Sequence, residues 1–145
     1  MAASGNRLLS AALLALALGA CTGAPPESVA PVSMPAGQAH LLLKRTTVIE
    51  GYSTLARVEL NGQSLGELSR EAGVSKFIPA GKTVVAVASA SAPGRYAISF
   101  DAQPGKSYYL EVTTRPEGYV PPTAQPLFPY ELIENEGGFK ILPAQ

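Results

Sequence analysis

Residues 56–68 read ARVELNGQSLGEL and carry the clearest signal of the fold. At the start of this stretch apolar and charged side chains alternate, a period of two that is typical of a half-buried β-strand; the apolar positions are Ala56, Val58 and Leu60. Asn61-Gly62 then supplies two residues that readily adopt positive φ, as a type I′ turn requires. The stretch therefore predicts an antiparallel β-hairpin.

The two-residue turn also predicts the register of this hairpin. It places Leu60 opposite Gln63 and Val58 opposite Leu65, so that apolar side chains meet on one face. The alternation ends at Gly66, where a glycine favours a β-bulge.

The same pattern of short apolar runs separated by turn residues continues over residues 40–142. Thr83–Ser89 is apolar on both faces, which predicts a central strand. Alternation also predicts core positions for Tyr96, Phe100 and Tyr108, and a last hairpin pairs Tyr130–Ile133 with Phe139–Leu142. The remaining predicted strands cover His40–Arg45, Lys76–Ile78, Arg95–Asp101 and residues 108–113. In the last of these, Tyr109 alternates with Tyr108 and is expected on the opposite, outward face. We expect an all-β domain, an antiparallel two-sheet sandwich of seven or eight strands.

The N-terminus, Met1–Ala20, has the pattern of a secretory signal peptide, with Arg7 before an apolar stretch from Leu8 to Leu18. As a helix this stretch is about 16 Å long, roughly half of a hydrocarbon core. Leu18-Gly19-Ala20-Cys21 resembles the bacterial lipobox, which implies cleavage between Ala20 and Cys21 and lipidation of the Cys21 thiol with palmitate-type chains. The alternatives are an ordinary secretory leader with an incidental cysteine, or a poor membrane helix.

Residues 21–39 are rich in proline and glycine and predict an unfolded tether between the lipidated Cys21 and the domain. The lipobox resemblance implies a bacterial lipoprotein bound to the lipid bilayer through its acyl chains. Thr22 follows the cysteine where Asp would retain the protein at the inner membrane. We therefore expect the periplasmic face of the outer membrane.

Several turn motifs occur in an order that resembles the bacterial lipoprotein family called domain of unknown function 2846 and, more distantly, the PEGA-type β-sandwich repeats. They are Asn61-Gly62, Gly66, the turn at residues 79–82 and the segment at residues 105–109, GKSYY. In the family a basic residue or a histidine often precedes the strand that follows the turn at Pro79, and Lys82-Thr83 occupies that position here. The resemblance implies an Ig-like or prealbumin-like sandwich and transfers no catalytic residue.

The composition offers few residues for catalysis, metal binding or nucleic-acid binding. Eleven Lys and Arg balance eleven Asp and Glu, which argues against a nucleic-acid partner. One His and one Cys are too few for a dedicated zinc site, so we expect no metal and no cofactor beyond the lipid. We expect His40 at the surface, opening the first strand. The carboxylates of Glu131, Glu134 and Glu136 are expected at a solvated hairpin tip, and Asp101 is expected to bind turn N–H groups.

Loop aromatics remain as candidates for recognition: Tyr52, Tyr119, Phe128 and Tyr130. They form either a lid over the open end of the sandwich or a flat surface for a ligand. We expect a non-catalytic interaction or structural module of the bacterial envelope with an unidentified envelope protein as partner. The alternative is a glycan- or peptide-binding module that uses the Tyr119–Tyr130 loop, and a hydrolase is a third class.

Overall fold

A computed structural model of the chain describes residues 33–46, 54–115 and 127–144, and these residues form an all-β sandwich of two sheets. The predicted fold class is thus confirmed. The described residues contain nine strands where seven or eight were expected: β1 (Gln38–Arg45), β2 (Ala56–Leu60), β3 (Gln63–Leu68), β4 (Gly73–Pro79), β5 (Gly81–Ser89), β6 (Arg95–Ala102), β7 (Ser107–Thr114), β8 (Glu131–Asn135) and β9 (Phe139–Pro143). No helix long and apolar enough to cross a membrane occurs in these three ranges.

The four-stranded sheet has the order β4-β1-β7-β9 and the five-stranded sheet the order β3-β2-β5-β6-β8. The central position of β5 agrees with the prediction from its two apolar faces. One pairing differs from an antiparallel sandwich, because β1 and β7 run parallel, with Leu41 opposite Tyr108. A parallel pair needs a long crossover, and here the whole of β2–β6 lies between the two strands.

The hairpin of residues 56–68 forms as predicted, with one correction to its register. Asn61 and Gly62 both have positive φ, 49° and 78°, and Leu60 pairs with Gln63. Val58, however, pairs with Gly66 and not with Leu65, because the register shifts between Val58 and Glu59. The extra residue makes the β-bulge expected near Gly66.

The predicted last hairpin is wrong. Strand β8 pairs with β6 in the five-stranded sheet, whereas β9 pairs with β7 in the four-stranded sheet. The chain between them crosses from one sheet to the other where Gly137 meets Gly94. A Cβ atom on Gly94 would lie 2.6 Å from the Gly137 nitrogen, so the two backbones approach as only glycines allow.

The core lies between the sheets and includes the three predicted aromatic residues, Tyr96, Phe100 and Tyr108. A charged side chain is buried there as well. Arg45 is 1% exposed, its guanidinium donates to the Leu68 carbonyl at 2.7 Å, and its Cζ lies 4.9 Å from the centre of the Phe139 ring. Charge-assisted hydrogen bonding and cation–π attraction offset part of the cost of removing this cation from water.

The sheet edges carry features that discourage further strand pairing. In β4, Lys76 pairs with the core residue Leu41 and so stands on the inward side of an edge strand. Strands β3 and β8 each meet their neighbour across a bulge, and β9 ends in Pro143. Such features block the addition of another strand, so a partner is better accommodated on the faces and ends of the sandwich.

Candidate functional site

One end of the sandwich is closed by an aromatic cluster. Phe128 lies against Phe100 and Tyr108, with ring centres 5.1 and 5.0 Å away, and its ring centre is 6.5 Å from that of Tyr130. Both Phe128 and Tyr130 pack against the core while remaining partly exposed. They act as a lid over the core, whereas Tyr52 and Tyr119 lie outside the described residues.

The turn that leads into β7 is held by the hydroxyl of Tyr108. This hydroxyl accepts a hydrogen bond from the Gln103 N–H at 2.9 Å and donates to the Asp101 carbonyl at 3.3 Å. The arrangement is similar to the tyrosine corner of β-sandwiches. The Asp101 carboxylate was expected to satisfy the turn, but the Tyr108 hydroxyl reaches the Gln103 N–H instead, and the exposed Asp101 side chain is left at the surface.

A cleft of about 570 Å³ opens beside this cluster. Its aromatic and apolar lining includes Tyr109, Leu127 and Phe128, together with Tyr108, Pro129 and Ala144. Tyr109 points away from the core, since it alternates with buried Tyr108, and it is 47% exposed; Leu127 is 56% exposed. Because Tyr109 and Leu127 line the same cleft, they form a contiguous apolar patch, which distinguishes an interaction surface from single exposed apolar residues.

The rim of the cleft is polar and uncommitted. It consists of Asp101, Gln103, Lys106 and Ser107. Within the described part of the chain, none of these four side chains makes a hydrogen bond or an ion pair. Other surface charges do have partners, as Arg57 has in Glu67 at 2.9 Å and Arg95 has in Glu59 and Glu134. The rim therefore has polar groups available for a ligand.

A second depression of about 370 Å³ adjoins the first and shares Asp101 and Pro129 with it. It adds Lys82, Tyr130 and Glu131 to the lining. The two together form a trough along this end of the sandwich. Two cations, Lys82 and Lys106, and two anions, Asp101 and Glu131, line it, so the trough carries no net charge.

The outer face of the four-stranded sheet holds a further groove of about 540 Å³, in which Leu42 and Tyr109 are apolar neighbours. Its charged groups are engaged with neighbours. Lys44 lies 3.7 Å from Glu71, and the Thr46 hydroxyl donates to Glu111. Tyr109 therefore lies between a groove whose charges are paired and a cleft whose polar groups are not.

The outer face of the five-stranded sheet carries an ion-pair cluster that sequence analysis missed. Arg95 contacts Glu134 through Nε at 2.9 Å and through a terminal nitrogen at 2.5 Å, and it contacts Glu59 at 2.9 Å. Ala86 and Ala97 lie between the two glutamates in the register, and their short side chains leave room for the guanidinium. The hydrogen bonds from Arg95 hold the pKa of Glu134 below its ordinary value.

The expectation of a solvated carboxylate cluster is therefore corrected for two of its three members. Glu131 and Glu134 lie in β8 and not at a hairpin tip, because β8 continues the five-stranded sheet. Glu134 is bound to Arg95, whereas Glu131 lines the trough. Only Glu136 is in the loop after β8. Partners that lie 39 residues apart, as Arg95 and Glu134 do, have no local sequence signal.

His40 is partly exposed on β1, as expected for a surface residue, but it does not open the strand. The strand begins at Gln38, and Ala39, which was assigned to the tether, is buried in the core. Its Nε2 is 2.7 Å from the Ser75 hydroxyl, and its ring centre is 5.1 Å from that of Phe77. Among the residues that the structure describes, no three His, Cys, Asp or Glu side chains are grouped as a metal site would require. Ala20 and Cys21, the predicted cleavage and lipidation residues, lie outside the described residues.

The sequence matches no model of a known protein family, and no similar protein is found among curated ones.

Proposed function

We propose that this chain is a lipid-anchored module of the bacterial outer membrane, facing the periplasm, that binds a partner without transforming it. Leu18-Gly19-Ala20-Cys21 supports the anchor, since small residues before a cysteine suit lipidation after an apolar leader. The resemblance to a bacterial lipoprotein family supports the same proposal. The observation that carries the binding role is the cleft beside Tyr109, in which exposed apolar groups adjoin uncommitted polar ones.

The state of the titratable groups favours binding over catalysis. A general acid needs a carboxyl group whose pKa is raised towards neutral pH, but Arg95 lowers the pKa of Glu134. The His40 ring contacts the Ser75 hydroxyl, but no carboxylate among the described residues contacts His40 to complete a Ser-His-Asp arrangement. Asp101 is exposed at the rim of the cleft, where its two carboxylate oxygens can accept hydrogen bonds from a ligand.

The expected Tyr119–Tyr130 binding loop remains a proposal in a modified form. Its described members line the trough, Phe128 in the cleft that also contains Lys106 and Tyr130 in the depression that also contains Lys82. The glycan- or peptide-binding alternative is supported by the trough, because the trough brings aromatic and polar groups together. Tyr109, which sequence analysis assigned only to an outward strand position, becomes its central residue.

Metabolic labelling with radioactive palmitate tests the anchor. We expect label on the wild-type chain, which fractionates with the outer membrane, and no label on Cys21→Ser. Two acyl chains make release from a bilayer very slow, because each buried methylene contributes about 0.8 kcal/mol. Unchanged cleavage and membrane binding in Cys21→Ser would contradict the lipid anchor.

Photo-cross-linking in living cells tests the binding role. A photoreactive amino acid is placed at Tyr109 and, as a matched control, at Ile133, which is 46% exposed on β8. We expect a discrete, light-dependent adduct at position 109 and none at position 133. Equal yields at the two positions, or none at either, would contradict a binding surface at Tyr109.

A further inference from the structure

We infer that the trough beside Tyr109 binds a neutral oligosaccharide, a chain of hexose or N-acetylhexosamine units. The inference deepens the proposed function and rests on it, since it names the ligand class of the same site. Three features of the described residues carry it: an exposed aromatic ring, a rim of free donors and acceptors, and a balance of charge.

The aromatic surface fits the apolar face of a sugar ring. Tyr109 is nearly half exposed and adjoins Phe128 and Leu127 in the lining of one cleft. Phe128 is held by its contacts with Phe100 and Tyr108. Its side chain therefore loses little conformational entropy when a ligand binds against it. Flat aromatic rings present apolar area that matches the C–H face of a pyranose, and Tyr adds a hydroxyl.

The rim supplies the hydrogen-bonding groups that hydroxyl recognition needs. Asp101 offers two acceptor oxygens, Lys106 offers three N–H donors, and the Gln103 amide and Ser107 hydroxyl can do both. Each sugar hydroxyl is itself both a donor and an acceptor. A mixed rim of this kind satisfies it, whereas a purely apolar groove would leave it unpaired at a cost in free energy.

Charge and length favour a neutral chain of several units. Lys82 and Lys106 balance Asp101 and Glu131, so the trough gives no net attraction to a polyanion or a polycation. The depressions of about 570 and 370 Å³ share Asp101 and Pro129. Volumes of this size accommodate small ligands, and two in a row suit adjacent units of one oligomer better than a single sugar.

A peptide is the less favoured occupant. Extended peptides usually bind by adding a strand to a sheet edge, where backbone hydrogen bonds supply the affinity. Here β4 carries the inward Lys76, and β3 and β8 are bulged. The trough also lies beside the turn that precedes β7, and it meets the edge strand β8 only at that strand's first residue, Glu131.

Titration of the acylated chain with defined oligosaccharides tests the inference. The chain is purified in a detergent without a sugar headgroup, since a maltoside would compete, and chitotetraose and cellotetraose are added as probes. Binding is read by saturation-transfer NMR and by tyrosine fluorescence, which no tryptophan obscures. Leucyl-trialanine serves as the peptide comparison.

We expect saturable binding of at least one tetrasaccharide by the wild-type chain. Tyr109→Ala should weaken it about tenfold or more, in keeping with the loss of an aromatic stacking contact. Tyr109→Phe should retain most of the affinity, because the ring persists. Asp101→Asn should weaken binding about threefold to tenfold, because a charge-assisted acceptor becomes neutral. Ile133→Ala should bind like the wild type, and thermal melts identify any variant that has lost its fold.

Three results would overturn the inference: no saturable binding of either sugar by the folded wild type, an affinity unchanged in folded Tyr109→Ala, or tighter binding of the peptide than of both sugars. A lack of oligosaccharide binding can be distinguished from failure of the proposed function by the cross-linking experiment. If position 109 still cross-links to an envelope protein in cells, the site binds a partner of another class. If it does not, both proposals fall.

Discussion

Replacing Gly94 by alanine should destabilise the sandwich far more than an alanine in another positive-φ turn. Gly94 has a φ of 93°, and a Cβ atom there would lie 2.6 Å from the Gly137 nitrogen and 2.9 Å from the Gly137 Cα. Both neighbours are backbone atoms, so no side chain can move aside. Gly105, with a φ of 78° and nothing within 4 Å of its Cβ position, is the matched control.

The magnitude follows from two contributions. A non-glycine residue at positive φ costs about 1–2 kcal/mol, offset in part by the lower entropy of the unfolded chain. This gives about 1 kcal/mol for Gly105→Ala. In Gly94→Ala the new Cβ must also move away from the Gly137 nitrogen by nearly 1 Å. Displacing packed backbone in this way adds about 1–3 kcal/mol to the loss of stability. The hydrogen bond from the Glu136 N–H to the Arg95 carbonyl, 3.0 Å long, lies at this junction and would be strained.

Urea unfolding followed by far-ultraviolet circular dichroism measures both variants. We expect Gly94→Ala to lose about 3 kcal/mol, some 2 kcal/mol more than Gly105→Ala, with a melting temperature lower by about 8 °C than that of the control. Gly137→Ala should resemble Gly94→Ala, since its Cβ would lie 2.8 Å from the Gly94 oxygen. Equal losses in Gly94→Ala and Gly105→Ala would refute the close approach of the two backbones.

Two further predictions concern the ion pair and the β7 turn. Arg95 lowers the pKa of Glu134 from its ordinary value of 4.5, so the ion pair stabilises the fold fully above pH 4.5 and is lost as the pH falls through the folded-state pKa. Between pH 6 and pH 3, Glu134→Gln should therefore lose less stability than the wild type when the free energy of unfolding is measured against pH. Parallel curves for the two proteins would contradict the pairing. Tyr108→Phe removes a hydroxyl that binds both Gln103 N–H and the Asp101 carbonyl, which should cost about 1–2 kcal/mol in urea unfolding, and a value near zero would show that water replaces it.

The strands could be predicted from sequence because their signals are local. Alternation and the Asn61-Gly62 turn indicate β2, β3 and their bulge, and the two apolar faces of Thr83–Ser89 indicate the centre of a sheet. Sheet membership could not be predicted in the same way. The turn between Ile133 and Phe139 looks like a hairpin, yet the close approach of Gly137 to Gly94 carries the chain across to the other sheet.

The candidate site was harder to predict because it depends on contacts distant in sequence. Alternation placed Tyr109 outside the core, but nothing local shows that Leu127 and Phe128 return beside it. The loop aromatics drew attention to Phe128 and Tyr130, and contacts with Phe100 and Tyr108 show that Phe128 is part of the lid. Free polar groups are recognisable only once the paired ones, such as Arg95 and Glu134, are known.

Thiol labelling in intact cells tests directly whether the lipid-anchored chain binds a partner at the cleft beside Tyr109. The only cysteine of the chain is Cys21, which the proposed acylation blocks, so an introduced cysteine is a unique free thiol. Ser107→Cys lies at the cleft, and Ser69→Cys is an exposed control in the loop between β3 and β4. We expect maleimide to label Ser107→Cys about fivefold more slowly in cells than in micelles, which corresponds to a partner bound at about four-fifths of the sites, while Ser69→Cys shows no such difference. Equal protection at the two positions would contradict it.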